Sequence, residues 1–226
     1  MNRINIAIDG PAGAGKSTAA KGVAEALGIH YLDTGAMYRA MALYAKRNGV
    51  DARDTAALDR ILPGADISVR YADDGAQRVL LAGEDVTDLL RTPELSMAAS
   101  TVSMYPPVRD KLAALQRAVG EQYDVVMDGR DITTNVLPHT KYKFFITASP
   151  EERAKRRLSE LTAKRDAGAT FEAVLEDIRR RDHQDETRAY MPLTRTADAY
   201  YLDTTGMTAG ETVAQMLAVI REKGAL

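Results

Sequence analysis

Gly10-Pro11-Ala12-Gly13-Ala14-Gly15-Lys16-Ser17-Thr18 places glycines, a lysine and two hydroxyls at a spacing that can do chemistry. It fits the pattern of a glycine, four residues and Gly-Lys-Ser/Thr, the phosphate-cradling P-loop. Glycines at 10, 13 and 15 let the backbone approach a ligand closely and take positive φ where needed. The Lys16 ammonium would bridge the β- and γ-phosphates of a nucleoside triphosphate, and the Ser17 hydroxyl would hold Mg²⁺. A glycine-rich turn that binds nothing is the plain alternative, and the flanking residues argue against it.

Those flanks are the elements that must position the loop. Ile4, Ile6 and Ile8 alternate with Asn5 and Ala7, which predicts a buried strand. Ala19 to Leu27 reads as a helix stopped by Gly28. A strand entering a glycine loop that opens a helix aims backbone N–H groups and the positive helix end at one point, which attracts phosphate.

The chain has 226 residues, enough for one large domain or a core with a small insert. A net charge of -2 argues against bulk nucleic-acid binding. Zero cysteines exclude disulfides and thiolate metal sites and fit a reducing compartment, so a cytoplasmic location is expected. No apolar run reaches the length of a membrane span and the N-terminal stretch has no signal-peptide pattern, so no membrane partner is expected. A monomer is expected.

Further along, Tyr31-Leu32-Asp33 is a short strand, and Thr34 to Asn48 a helix with Ala40, Leu43 and Tyr44 at helical spacing. Asp33-Thr34-Gly35 then lies at a strand's carboxyl end, the ligand side of an α/β sheet, and also suits an N-cap. Residues 51 to 63 look helical, up to Pro63-Gly64. Ile67 to Tyr71 and Arg78 to Leu81 flank an Asp-Asp-Gly turn, a hairpin outside any β-α-β rhythm. Residues 62–98 are therefore expected to form an antiparallel insert. Helices are expected from Glu94 to Tyr105, broken at Pro106-Pro107, and from Val108 to Gln122.

Tyr123 to Asp128 reads as a buried strand ending in an acid, followed by Gly129-Arg130-Asp131. Such an acid beside a P-loop can orient Mg²⁺, here through water. After the strand Tyr142 to Thr147, Ser149-Pro150-Glu151-Glu152 opens a helix carrying Arg153, Lys155, Arg156 and Arg157. Gly168 marks a break, and Phe171 to Thr187 forms a second helix with Arg179, Arg180, Arg181 and Asp185. A solvated, paired face accounts for most of this charge. Two basic helices flanking a loop also suit a mobile lid, placed at residues 153–188. Strands at 3–8, 30–33, 124–128, 142–147 and 199–203 alternate with helices, which predicts an α/β fold: a P-loop kinase core with a five-stranded parallel sheet wrapped on both faces.

Phosphoryl transfer between two anions needs positioning and charge neutralisation, and bidentate arginine suits phosphate. Arg39, Arg130, Arg153, Arg157, Arg181 and Arg188 supply such a set. No N-K-x-D loop reads guanine, which argues against a regulatory GTPase.

Ile8-Asp9 with the P-loop, Asp33-Thr34-Gly35-Ala36-Met37-Tyr38-Arg39, Asp128-Gly129-Arg130-Asp131-Ile132, and Arg181-Asp182 through Asp185 to Arg188 together resemble the bacterial cytidylate kinases, over nearly the whole chain. The resemblance implies transfer of the ATP γ-phosphate, with Mg²⁺, to CMP or dCMP. It implies cytosine reading by Ser100, Arg109 and Asp131. Arg39, Arg130 and Arg188 would hold the acceptor phosphate, with Thr34 on the same side. Asp185 with Arg181 would contact the ribose, and Arg153 and Arg157 would face ATP. Lys16, Arg130 and Arg188 are the implied catalytic residues. Thr133 departs from the family pattern, which usually has glycine there. A kinase of another small acceptor, such as shikimate or gluconate, is the alternative enzyme. A non-catalytic nucleotide-binding regulator would keep the P-loop without the second arginine set.

Overall fold

The computed structural model describes residues 3–163 and 169–224. The chain runs through β1 (Asn5–Asp9), α1 (Lys16–Leu27), β2 (His30–Asp33), α2 (Thr34–Arg47), α3 (Thr55–Ile61), β3 (Ile67–Tyr71), β4 (Gln77–Leu81) and β5 (Glu84–Asp85). It continues through α4 (Pro93–Val102), α5 (Pro106–Gln122), β6 (Val125–Gly129), β7 (Tyr142–Thr147), α6 (Pro150–Ala163), α7 (Phe171–Thr187), β8 (Tyr200–Asp203) and α8 (Ala209–Glu222).

Five strands form one parallel sheet in the order β2-β6-β1-β7-β8. Ile6, Ala7 and Ile8 of the central strand have no exposed surface, as a strand covered on both faces requires. The period of two divides the core. Ala7, Leu32, Val125 and Met127 face one way, onto α2, α4 and α5. Ile6, Ile8, Val126, Phe144 and Ile146 face the other, onto α1 and α8. The register sets Asp9 opposite Gly129 and Asp33 opposite Asp128, so three chemistry-bearing strand ends lie side by side. Connections on both sides of β1 diverge at this edge, the usual ligand position in open α/β sheets.

The five strands match the expected ones to within two residues, but several other boundaries differ. α1 starts at Lys16, three residues earlier than its apolar pattern suggests, so Lys16, Ser17 and Thr18 form its first turn. Residues 51–54 are not helical: Asp54 caps α3, accepting the Ala57 N–H at 2.9 Å, and residues 62–64 are a 3₁₀ turn. The antiparallel sheet has three strands, β3-β4-β5, and spans 67–85; the rest of 62–98 is 3₁₀ turn, loop and the start of α4. Its Ile67, Val79 and Leu81 share the core cluster of α2 and α4, so the insert packs on the kinase core. Pro106 and Pro107 begin α5, where the lost N–H costs nothing, and α4 already ends at Val102. Residues 132–136 form a π-turn. The break expected at Gly168 lies outside the described residues. α6 and α7 share a small core of Ala154, Val174 and Ile178. No helix among the described residues is long and apolar enough to cross a membrane.

Candidate active site

β1 delivers the chain to Gly10, whose φ of +147° is reachable only without a side chain. A Cβ there would sit 1.8 Å from the Ile146 carbonyl oxygen. Gly15 then caps α1 in the left-handed region, so no side chain occupies the N–H groups of the first turn. Three of the loop's carbonyls accept side-chain hydrogen bonds. Lys16 Nζ donates to the Pro11 carbonyl at 2.7 Å, Arg153 Nη1 to Ala12 at 3.2 Å, and the Thr204 hydroxyl to Ala14 at 3.1 Å. With these three carbonyls occupied by side-chain donors, the loop's N–H groups are the backbone groups left to meet a phosphate. Burial, assisted by the nearby Arg130 charge, lowers the Lys16 pKa from 10.5 to about 7.

At the next strand end the Asp128 carboxylate accepts from the Ser17 hydroxyl at 2.9 Å and from the Tyr31 hydroxyl at 2.7 Å. Burial, followed by the Asp33 charge, pushes its pKa up. The Thr34 hydroxyl donates to the Asp128 carbonyl at 2.7 Å, which ties the start of α2 to β6.

Beyond β6 the arginines and acids interlock. Arg109 Nη2 lies 2.6 Å from Asp131 Oδ1 with its side chain 2% exposed. Arg188 Nη2 approaches the same oxygen at 4.0 Å, and its Nη1 pairs with Asp185 at 3.3 Å. Arg130 Nε takes the other Asp185 oxygen at 2.7 Å. Burial alone would raise the Asp185 pKa, but Arg130, Arg188 and Lys16 outweigh it and hold the carboxyl below its ordinary value. The Ser100 hydroxyl accepts from Gln184 of α7 at 3.0 Å. Arg39 pairs with Asp33 at 2.7 Å. Among the described residues, Arg39 Nε, Arg109 Nε and Nη2, and Arg188 Nη2 are buried with no aligned hydrogen-bond acceptor. The Arg109–Asp131 contact is thus close and ionic but not a well-directed hydrogen bond. Buried donors left without partners are costly, and an anion placed among them would relieve that cost.

The structure therefore brings Lys16, Ser17 and Asp128 together at one strand end and Arg109, Asp131, Arg188 and Asp185 beyond the next, with Arg130 paired to Asp185. Three further expected residues are each paired with an acid. Arg153 is buried, fully engaged by Asp182 at 2.7 and 2.9 Å and by the Ala12 carbonyl, so its contact is with the back of the P-loop. Arg157 is partly exposed and pairs with Glu160. Arg181 pairs with Asp177 at 2.9 Å.

Asp9, Thr204 and Arg156 were not legible as site residues. Arg156 donates to the Thr204 hydroxyl and carbonyl and so backs the Ala14 contact. Asp9 has no exposed surface and accepts three bonds: from Ile132 N–H at 2.9 Å, Thr133 N–H at 2.8 Å and the Thr133 hydroxyl at 2.6 Å. It thereby fastens the turn after Asp131 to the strand that carries the P-loop. Burial raises its pKa to about 6, with the Thr133 bonds acting the other way. The Thr133 side chain thus accommodates the departure from glycine by adding a hydrogen bond. Thr133→Val keeps the shape and removes the hydroxyl, so it should lower stability by about 1.5–3 kcal/mol, the range for a hydrogen bond to a charged group. Urea unfolding at pH 7 checks this. The midpoint should fall with the slope unchanged.

A family model described as Cytidylate kinase matches residues 6–222. A cytidylate kinase from Solibacter usitatus (strain Ellin6076) is 45% identical over 224 residues, covering 99% of this chain and 94% of that protein. A cytidylate kinase from Pelotomaculum thermopropionicum is 48% identical over 214 residues, covering 95% and 94%. Among solved structures, an uncharacterized protein from Eubacterium ventriosum ATCC 27560 superposes with a TM-score of 0.50 at 12% identity, covering 97% of this chain and 99% of that one, a likeness of fold alone.

Proposed function

This chain belongs to the cytidylate kinase family and is a phosphotransferase with cytidylate kinase activity, and on that premise we propose how its residues divide the work. The reaction moves the γ-phosphate of ATP onto CMP or dCMP and yields CDP or dCDP plus ADP. The observation that carries the assignment of roles is the cluster Arg109–Asp131–Arg188–Asp185–Arg130, set one strand away from the P-loop.

The P-loop from Gly10 to Thr18 takes the ATP phosphates, and Lys16 neutralises the transferring group. The site suits Mg²⁺: a hydroxyl and a carboxylate, hard oxygen donors, stand 2.9 Å apart at Ser17 and Asp128. Ser17 would ligate the ion and Asp128 would hold its water; bound there, Mg²⁺ neutralises phosphate charge. Arg39, Arg130 and Arg188, with Thr34 beside them, grip the acceptor phosphate. Its oxygen attacks the γ-phosphorus in line, and the bond to the ADP oxygen breaks. Asp185 orients Arg130 and Arg188 while reaching the ribose, with Arg181 near it. Arg157 closes over ATP. Arg153 holds the P-loop from behind, so the closing part of the 153–188 lid begins beyond it.

Cytosine offers an N4 amino donor beside an N3 acceptor. The Asp131 carboxylate and Arg109 guanidinium, 2.6 Å apart, present the complementary acceptor and donor side by side. The Ser100 hydroxyl supplies a donor for O2. A coupled assay with ATP and CMP, UMP, AMP or shikimate tests the function. CMP should be the preferred acceptor by a wide margin; turnover of shikimate or UMP at the CMP rate overturns the reading.

A further inference from the structure

Among the described residues, the antiparallel insert hydrogen-bonds to the catalytic sheet at Asp33. β2 is an edge strand, and edge strands leave backbone groups to be satisfied. At its last residue, Asp33, the insert supplies the partner. Gln77 of β4 accepts the Asp33 N–H through Oε1 at 2.7 Å and donates from Nε2 to the Asp33 carbonyl at 3.3 Å. One side-chain amide thus stands in for a neighbouring strand.

The Asp33 side chain is committed in turn. Oδ1 accepts the Ala36 N–H at 3.0 Å and caps α2, and Oδ2 accepts from Arg39 Nη2 at 2.7 Å. The pair lies tight over Gly35, where a Cβ would come 3.1 Å from Asp33 Oδ1 and 3.2 Å from Arg39 Nη1. At the other end of β2 the insert has a second hold. Tyr71, opposite Gln77 in the β3–β4 register, stacks on His30 at 3.9 Å. The contact to Asp33 is therefore fixed by two elements, the strand and the hairpin.

We propose that Gln77 is a positioning residue for the acceptor phosphate: by holding the Asp33 backbone it sets the carboxylate that aims Arg39. This rests on the reading of Arg39 given under Proposed function. It gives the insert a role in acceptor binding through Arg39, which carries no information about the base.

Gln77→Met keeps the length and removes both bonds, and the half-buried position lets the variant fold. KM for CMP and for UMP should rise together, by about threefold to tenfold, as suits the loss of one or two hydrogen bonds. KM for ATP and the CMP-over-UMP ratio should stay at wild-type values. In an Arg39→Ala background Gln77→Met should have no further effect on KM for CMP, because the two act through one contact. A purely structural role would instead lower Tm and raise KM for ATP as well. If Arg39→Ala raises KM for CMP while Gln77→Met leaves it unchanged, or adds its full effect to the double variant, the proposal is wrong and the Arg39 reading stands. If Arg39→Ala leaves KM for CMP unchanged, the Arg39 reading falls and takes the proposal with it.

Discussion

Lys16→Ala lowers kcat by about 100- to 1,000-fold, the effect of removing one electrostatic contact worth ~3–4 kcal/mol in the transition state. The fold survives. The Lys16 side chain donates a hydrogen bond to the Pro11 carbonyl, and the glycines that shape the loop remain. The linkage has a definite sign. Its folded pKa, about 7, lies below the ordinary 10.5, so the unfolded chain binds more protons between those values. Charging Lys16 therefore opposes folding below pH 7, and its contribution to stability rises as pH climbs from about 7 towards 10.5. Truncation at neutral pH removes that cost. The same side chain supplies a second readout. Burial lowers the Lys16 pKa in the absence of ligand, and the triphosphate charge raises it again. Calorimetry of ATP binding in two buffers of different ionisation enthalpy should show proton uptake in wild type and less in Lys16→Ala. Near-normal turnover in the folded variant contradicts the P-loop assignment.

Asp131→Ala combines two large effects. Arg109 has a side chain 2% exposed and loses the carboxylate at 2.6 Å, while Arg188 loses the one at 4.0 Å. Breaking a buried pair by removing one partner costs about 3–5 kcal/mol, because the remaining charge stays buried. Activity on CMP falls as well, since the cytosine amino group loses its acceptor. The Asp131→Asn variant keeps the volume and leaves a carbonyl for Arg109, so it folds more readily and isolates the chemical effect. Thermal unfolding of the two variants separates the contributions: Ala should lower Tm well below Asn.

The parts of this site that lie close together in sequence were the legible ones. Gly10 to Thr18 carries its conformation in its own spacing, and the five strands announce themselves by apolar runs of the right length. The pairings between distant segments were not legible in this way. Arg153 stands in a run of basic residues that reads as a solvated face, yet Asp182 of the following helix buries it. Asp9 reads as the end of a strand; only the fold brings Thr133 to it. Thr204 and Arg156 support the P-loop from β8's end and from α6, and no local pattern marks a residue whose role is to occupy a carbonyl. β5, two residues long, is shorter than any periodicity can reveal. The prolines at 106 and 107 suggest a break after Tyr105, yet they begin α5: proline starts a helix as readily as it ends one. The resemblance alone groups Ser100, Arg109 and Asp131; in the fold Arg109 and Asp131 lie 2.6 Å apart.

The most direct measurement is kcat/KM for CMP and for UMP, at saturating ATP and Mg²⁺, in wild type and in Asp131→Asn. Uracil in the same pose sets O4 against the Asp131 carboxylate and N3–H against the Arg109 guanidinium. A site whose buried polar groups are left mismatched rejects the wrong base by ~100-fold or more. The amide of the variant can offer O4 a donor, so the wild-type preference for CMP should collapse towards parity, through a loss on CMP and a relative gain on UMP. A folded Asp131→Asn enzyme that keeps the full wild-type ratio contradicts the account, because the base would then be read elsewhere.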